Sequence, residues 1–339
     1  MIEMPRLISL SFDDAGTFAS ALTQADVSCT QTAAGPIQFD LAICANNRLQ
    51  LHFTSMPVGS CVAVGKTADN AKCFHIPLGN TSLVSMLGRK MDAASLAVYE
   101  DGGEHAVRAA DGASLAYIAA SKELVHQVCE MSGGMDFAAA MPATHILSSD
   151  PEKMVQLRYF LEEISKLFSL TPIAIANFAV FRNIEQTLMT LLLSASGCDE
   201  ERNSSAGRTP VSRGRILRKI EELLRERAGE PLYVTDLCAA TGVSQPTLYR
   251  IFSDVLDMNP KRYLQLRRLH LVREKLLHDP NPARTVSSVA YDCGFWQLGR
   301  FGRDYRAHFG ETPSHTLRRA RTFNIGRETA ASLKSQGRF

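Results

Sequence analysis

Arginine and glutamine are the side chains best suited to reading a base pair from its edge, and this chain carries them in two clusters of similar layout. One holds Gln245, Pro246, Tyr249 and Arg250, the other Gln297, Leu298, Gly299, Arg300, Gly302 and Arg303. Arg250 and Arg303 can each donate two parallel hydrogen bonds to guanine O6 and N7, a pairing worth about 1–3 kcal/mol of discrimination. Arg300 and Arg306 suit phosphate instead. Pro246 offers van der Waals contact only. Gly299 and Gly302 in one helix cost about 1 kcal/mol each relative to alanine, which a close backbone approach to phosphate or to another helix would explain.

Such side chains need a rigid helix to aim them, and the flanking sequence supplies one pattern twice. Asp236–Phe252 and Ser288–Tyr305 both read as helix, glycine turn, helix. With Gly242 aligned to Gly294, Leu248/Phe252 and Phe301/Tyr305 fall one helical turn apart in both copies. Leu256 and Phe309 extend each apolar face, and Asn259-Pro260 and Thr312-Pro313 place a cap and a first-turn proline at the start of a further helix. A glycine-containing turn between two helices is the layout of a helix-turn-helix, whose second helix fits a DNA major groove. A single copy could equally be an ordinary helical hairpin; the duplicate favours the DNA reading. Between the copies, Pro260 to Leu277 lacks internal Gly or Pro. At 1.5 Å per residue that helix is about 27 Å long, which could hold two reading helices near the roughly 34 Å pitch of a duplex.

These residues carry a resemblance to the AraC/XylS-type transcription regulators. Gly242-Val243-Ser244 with Leu248, Arg250 and Phe252, then Pro260, Tyr263-Leu264 and Arg267-Arg268-Leu269 resemble the family's first half. Val289-Ala290, Cys293-Gly294-Phe295, Phe301, Tyr305, Phe309-Gly310 and Thr312-Pro313-Ser314 resemble the second. The resemblance covers about a hundred residues. It implies that the positions of Pro246, Tyr249 and Arg250 approach base edges, that the partner is double-stranded promoter or operator DNA, and that RNA polymerase is a further candidate partner. It also implies that the N-terminal module is a cupin-like effector and dimerisation domain, in a homodimer that most often activates transcription; a cytoplasmic location is expected instead from the lack of a membrane span and of a signal peptide's pattern.

Charge divides the chain in the same place. Residues 1–207 hold 13 Lys and Arg against 22 Asp and Glu, residues 208–321 hold 21 against 12, and the remainder 3 against 1. A basic C-terminal half on an acidic N-terminal one suits a nucleic-acid partner for the former alone. The length of 339 residues, 45% of them hydrophobic, is enough for two cores. The expected class is α+β: a sensor domain at 1–195, with a cupin-like β-barrel at 6–120 and helices at 121–195, then a polar linker at 196–210. An all-α double helix-turn-helix domain of seven helices at 211–321 and a disordered tail at 322–339 complete it.

Short β-rich runs punctuated by turns support the barrel: Ile37–Cys44, Arg48–Phe53, Cys61–Val64, Cys73–Ile76, Leu83–Leu87, Leu96–Tyr99 and Leu115–Ile118. Helical spacing follows at Lys122–Met131, Pro151–Phe168 and Pro172 to about Ser194. The pair that begins at Pro151 can cover its own barrel or a second subunit. In the DNA-binding half, a helix from about Ser212 to Ala228 is expected to keep Arg213, Arg215, Arg218 and Lys219 solvated, and Trp296 is expected to pack between helices.

A barrel of this size can hold one small ligand. Its candidate contacts are Phe53, Phe74, His75, Arg89, Tyr99, Glu104 and His105. No metal and no cofactor is expected: His52, His75 and His105 lie far apart in sequence with no His-x-His pair, and Glu104-His105 reads as a solvated turn. The eight cysteines show no metal spacing and read as reduced thiols, with Cys238 and Cys293 buried in the first helices of the two motifs. Neither a Gly-x-Ser-x-Gly elbow nor a phosphate loop occurs, so no catalytic machinery is visible. No apolar run reaches the 18 or so residues of a membrane span, and the N-terminus lacks a signal peptide's pattern. Two alternatives stay open: a regulator whose N-terminal domain only dimerises, and a cupin-type enzyme fused to a regulator.

Overall fold

The computed structural model describes residues 3–22, 25–131, 144–196, 210–228, 230–278, 281 and 283–321. Most of the expected linker and the whole of the expected tail, 322–339, lie outside these residues.

The N-terminal half is a two-sheet sandwich rather than one closed barrel. Its strands in chain order are β1 (Arg6–Phe12), β2 (Asp26–Gln31), β3 (Gln38–Ala45), β4 (Leu49–Val58), β5 (Cys61–Lys66), β6 (Ala71–Leu78), β7 (Val84–Met86), β8 (Arg89–Lys90), β9 (Ser95–Tyr99), β10 (Glu104–Ala109), β11 (Ala113–Ser121) and β12 (His145–Ser148). A seven-stranded sheet runs β1-β3-β4-β11-β6-β9-β12 and a five-stranded sheet runs β2-β5-β10-β7-β8. Every pairing is antiparallel. A short helix α1 (Ala15–Ala21) sits between β1 and β2, capped by the Asp14 carboxylate, which accepts from the Thr17 amide at 2.8 Å.

Side-chain alternation sorts the layers. On β4, β6 and β11 of the larger sheet, Leu51, Phe53, Phe74, Ile76, Ala116 and Ile118 belong to one core, while Met56, Cys73, Tyr117 and Ala119 belong to the other. The first core is completed by α2 (Lys122–Met131), α3 (Pro151–Leu170), α4 (Pro172–Ala176) and α5 (Phe178–Ser196). The stripe Met154, Leu157, Leu161, Ile164 and Phe168 therefore covers the chain's own sheet. The expected single helix from Pro172 is broken at Asn177, which leaves the helical region (ψ 127°) and caps α5 by accepting from the Ala179 amide at 2.9 Å.

The C-terminal half comprises α6 (Pro210–Glu226), α7 (Val234–Thr241), α8 (Gln245–Leu256), α9 (Pro260–His278), α10 (Val286–Asp292), α11 (Leu298–Phe309) and a last helix, α12, at 313–321. Helix α6 lies against β5 and β10 of the smaller sheet. There Leu217 and Ile220 join Val62, Val64 and Ala106 in one core, and a Cβ at Gly214 would lie 2.9 Å from that of Glu104. The same core continues through Leu237, Leu248, Phe252 and Tyr263, so the first helix-turn-helix and the sandwich bury their apolar side chains together. Leu269, Val272, Val289, Phe301, Tyr305 and Phe309 form a separate core for the second.

Candidate nucleic-acid interface and ligand cavity

In the first motif the turn is set by Gly242, which closes α7 in the left-handed region at φ +73° and donates to the Cys238 carbonyl at 2.8 Å. A Cβ there would meet nothing within 4 Å, so the requirement for glycine is conformational rather than steric. Ser244 caps α8, and Pro246 occupies its first turn. Leu248, Ile251, Phe252, Val255 and Leu256 are buried, and Phe252 meets Tyr263 of α9 edge-on at 5.4 Å. That anchoring leaves Gln245, Pro246 and Arg250 exposed on the opposite side and Tyr249 half-buried.

The second motif repeats the plan. Thr285 caps α10, Gly294 turns the chain at φ +78°, and Phe301, Tyr305 and Phe309 anchor α11. The Tyr305 hydroxyl lies 2.9 Å from that of Thr316 on α12. Gln297, Gly299, Arg300 and Arg303 are exposed, with Leu298 and Gly302 half-buried. Arg300 approaches Asp304 at 3.8 Å, and Arg303 Nε donates to the Gly299 carbonyl at 3.4 Å.

Several expectations change here. Trp296 is not packed between helices: it is 71% exposed, beside Gln297 at the start of α11, with Tyr291 6.0 Å away as a ring neighbour. Cys293 is buried as expected, whereas Cys238 is half-buried. Arg213 pairs with Asp254 of α8 at 3.1 Å, and Arg215 and Arg218 reach Glu104 of the sandwich at 3.5 and 3.9 Å; Arg213 and Arg218 are thereby half-buried, while Arg215 and Lys219 stay exposed as expected. In the basic run of α9, Arg267 pairs with the buried Glu221 at 2.9 Å, and Arg268 donates to the Leu232 carbonyl at 2.6 Å. At Gly299 and Gly302 an added Cβ would meet nothing within 4 Å, so no helix among the described residues demands either glycine. Replacing each with alanine should therefore stabilise the fold by up to about 1 kcal/mol. A weakened gel shift alongside the raised melting temperature would mark a backbone approach to DNA; unchanged binding would exclude it.

Between the sheets lies a cavity open to the centres of water molecules over about 90 Å³, walled by Phe18, Phe39, Met56 and Val107 among others. Strand register explains its polar row. Tyr117 of β11 stands directly between His52 of β4 and His75 of β6, and all three face inward. His105 of β10 faces them from the smaller sheet, its ring 4.9 Å from that of His75. Of the residues singled out from the sequence, His75 and His105 line this cavity, and Tyr99 is buried beside them with ring distances of 5.3 and 5.9 Å. Phe53 and Phe74, one residue out of phase, point to the helical layer instead. Arg89 is exposed and donates to the Ile146 carbonyl at 3.1 Å. Glu104 turns to the other face of β10, toward Arg215 and Arg218. The pair Glu104-His105 is thus the buried start of a strand and not a solvated turn. Reading from the sequence missed His52, Thr54 and Tyr117 as cavity residues; the alternation in Leu49–Val58 was the signal for the first two and that in Ala113–Ser121 for the third. Among the described residues, no group of three or more His, Cys, Asp or Glu has metal-ligating geometry. No helix among them is long and apolar enough to cross a membrane.

The sandwich and the two motifs are tied by buried polar contacts. Arg273 of α9 donates to Asp14 at 2.9 Å and to Glu311 at 2.7 Å, with its guanidinium 4.6 Å from the Phe309 ring centre. His270 Nε2 lies 3.3 Å from the Gln31 carbonyl, and the Gly35 amide donates to the His308 carbonyl at 2.9 Å. At the surface, the exposed pairs Arg108–Asp257 and Arg319–Asp13 add contacts of 2.5 Å each.

Residues 237–319 match a family model described as a helix-turn-helix domain. Over 131 residues the chain is 36% identical to the XylDLEGF operon transcriptional activator 1 of Pseudomonas putida, covering 37% of this chain and 38% of that protein. It is 32% identical over 99 residues to the XylDLEGF operon transcriptional activator 2 of the same organism, covering 29% and 63%. A solved structure from Rhodopseudomonas palustris, "a probable AraC family transcriptional regulator", is 35% identical, with 31% of this chain and 97% of that chain covered and a TM-score of 0.29. The chain thus spans less than two thirds of the length of the curated relatives it matches. Residues 237–319 thus form a helix-turn-helix domain of the AraC/XylS type.

Proposed function

We propose that this chain is a sequence-specific DNA-binding transcription regulator, an effector-responsive activator whose two helix-turn-helix motifs read adjacent major grooves. The observation that carries the reading is the pair of α8 and α11, each anchored by a buried aliphatic or aromatic stripe and each presenting an arginine and a glutamine to solvent. Arg250 and Arg303 read guanine; Arg300 holds phosphate. Trp296, exposed beside Gln297, adds a flat surface for sugar or base contact.

Arg250→Ala and Arg303→Ala should each cost about 1–3 kcal/mol at one base pair, roughly 5- to 150-fold, and leave the other positions of the site unchanged. Selection of binding sites from a random duplex pool with the parent and each variant measures this. Equal weakening on all sequences would reassign that arginine to phosphate.

The sandwich acts as the sensor. Its cavity reaches the reading heads by two short routes. Strand β10 turns His105 into the cavity and its neighbour Glu104 out to α6, while α1 and its two caps lend Phe18 and Leu22 to the cavity wall and Asp14 to Arg273. A ligand that binds one arrangement of these elements better than another shifts the balance between them. Val155 and Tyr159, one turn apart on α3, with Leu170 and Ile173 are exposed apolar residues that suit a homodimer contact.

A further inference from the structure

Two orphaned imidazole nitrogens mark what the cavity is built to hold. His75 is 8% exposed and His105 6%, both line the cavity, and the Nδ1 of each is buried without a hydrogen-bond partner. The Tyr117 hydroxyl beside them is already engaged, 3.1 Å from Cys73 Sγ and 3.3 Å from the Ala68 amide, which donates to it. His52 and Thr54 add two more polar groups, and the rest of the wall is largely apolar.

Charge is what the cavity lacks. Among the described residues no Lys, Arg, Asp or Glu lines it. The ionised groups nearby are spent on one another: Asp14 on Arg273, Arg267 on Glu221, and Glu104 on Arg215 and Arg218 outside the sheet. Burial pushes His52 and His105 down to about 4 and His75 well below its usual range, so the imidazoles are neutral and supply no cation either. Besides the Cys61 thiol in the wall, the titratable side chains around them are Tyr99, Tyr117 and Cys73, all pushed up by burial and uncharged. A carboxylate or ammonium entering would lose its water without gaining a counter-ion. A neutral imidazole, by contrast, offers one donor and one acceptor, and two of them side by side match a hydroxyl, carbonyl or carboxamide.

We infer that the ligand of this cavity is an uncharged small molecule with an apolar body and one hydrogen-bonding head, the head meeting Nδ1 of His75 and of His105. This rests on the reading of the sandwich as the sensor and names its ligand class.

The test is calorimetric titration of the full chain with four probes of one shape: cyclohexanol, cyclohexanecarboxamide, cyclohexanecarboxylate and cyclohexylmethylammonium. The alcohol or the amide should bind at least about tenfold more tightly than either ion at about pH 8, with affinity unchanged at about pH 6.5. His75→Phe and His105→Phe keep the ring shape and remove the nitrogens; each should weaken the neutral probe about tenfold while the thermal melt stays cooperative. Thr54→Val serves as a second variant if either fails to fold, and should weaken the neutral probe more than the ions. Tighter binding of the carboxylate than of the alcohol and the amide at about pH 8, where it is fully ionised, would overturn the ligand class and leave the sensor reading intact. If none of the four probes binds the folded parent chain, the ligand class and the sensor reading fall together.

Discussion

On acidification the protein should unfold near pH 5, well above the range in which carboxylates protonate. Five buried histidines set this: burial holds His52, His105 and His308 at about 4 and His270 at about 3, with His75 well below its usual value. In the unfolded chain each imidazole takes a proton near pH 6.5. Because the folded values are the lower ones, the unfolded state binds more protons between pH 6.5 and about 4, and stability is lost as pH falls through that window. Each group removes about 1.4 kcal/mol per pH unit, so five acting together remove about 7. Against a total stability of about 5–15 kcal/mol, one to two units suffice. Asp14 acts lower down. Burial opposes its charge, but the Thr17 amide and the Arg273 guanidinium outweigh that and hold it below the usual carboxylate value, so its contribution is kept above that value and lost only as pH falls through the folded one. Circular dichroism against pH measures the midpoint. A midpoint below about pH 4 that does not move in the His75→Phe, His105→Phe double variant would contradict this account.

Arg273→Met should lower stability by about 3–5 kcal/mol, because it leaves a buried carboxylate without its cation. The Arg273 side chain is 7% exposed and that of Asp14 8%, and the same guanidinium also holds Glu311 and stacks on Phe309. For a domain of 150–250 residues this corresponds to a fall of roughly 6–20 °C in melting temperature. Asp14→Asn added to Arg273→Met should recover part of the loss: the unpaired charge goes, while the side-chain oxygen that caps α1 remains. Limited proteolysis of Arg273→Met should cut first around the second motif, whose core is separate from that shared by the sandwich and the first motif. A melting temperature within about 2 °C of the parent would show that the buried pair contributes nothing net.

The two helix-turn-helix motifs were legible in the sequence because everything that makes them is local. Apolar residues one turn apart, a glycine at the turn and a polar cap before the helix lie within twenty residues of one another, and each motif anchors the face opposite its arginine. Helices α2 and α3 were legible for the same reason. Strands β3, β4, β5 and β6 could be found from their β-branched and alternating runs, whereas Glu104–Ala109 opens with a charged and a titratable residue and reads as a turn until its partners are known.

What the linear chain determined by itself, then, was the pair of helix-turn-helix motifs, the charge around them and the existence of a β-rich half. The tertiary structure alone decided that His52, Tyr117, His75 and His105, drawn from four strands up to 65 residues apart, share one cavity, and that Phe53 and Phe74 do not. It likewise decided that Arg215, Arg218 and Arg273 are spent on the sandwich. The physical reason is the period of two in a strand. A helical face is written in neighbouring residues, but which side of a sheet becomes the inside depends on what the other sheet and the helices bury, and a shift of one position exchanges the two faces.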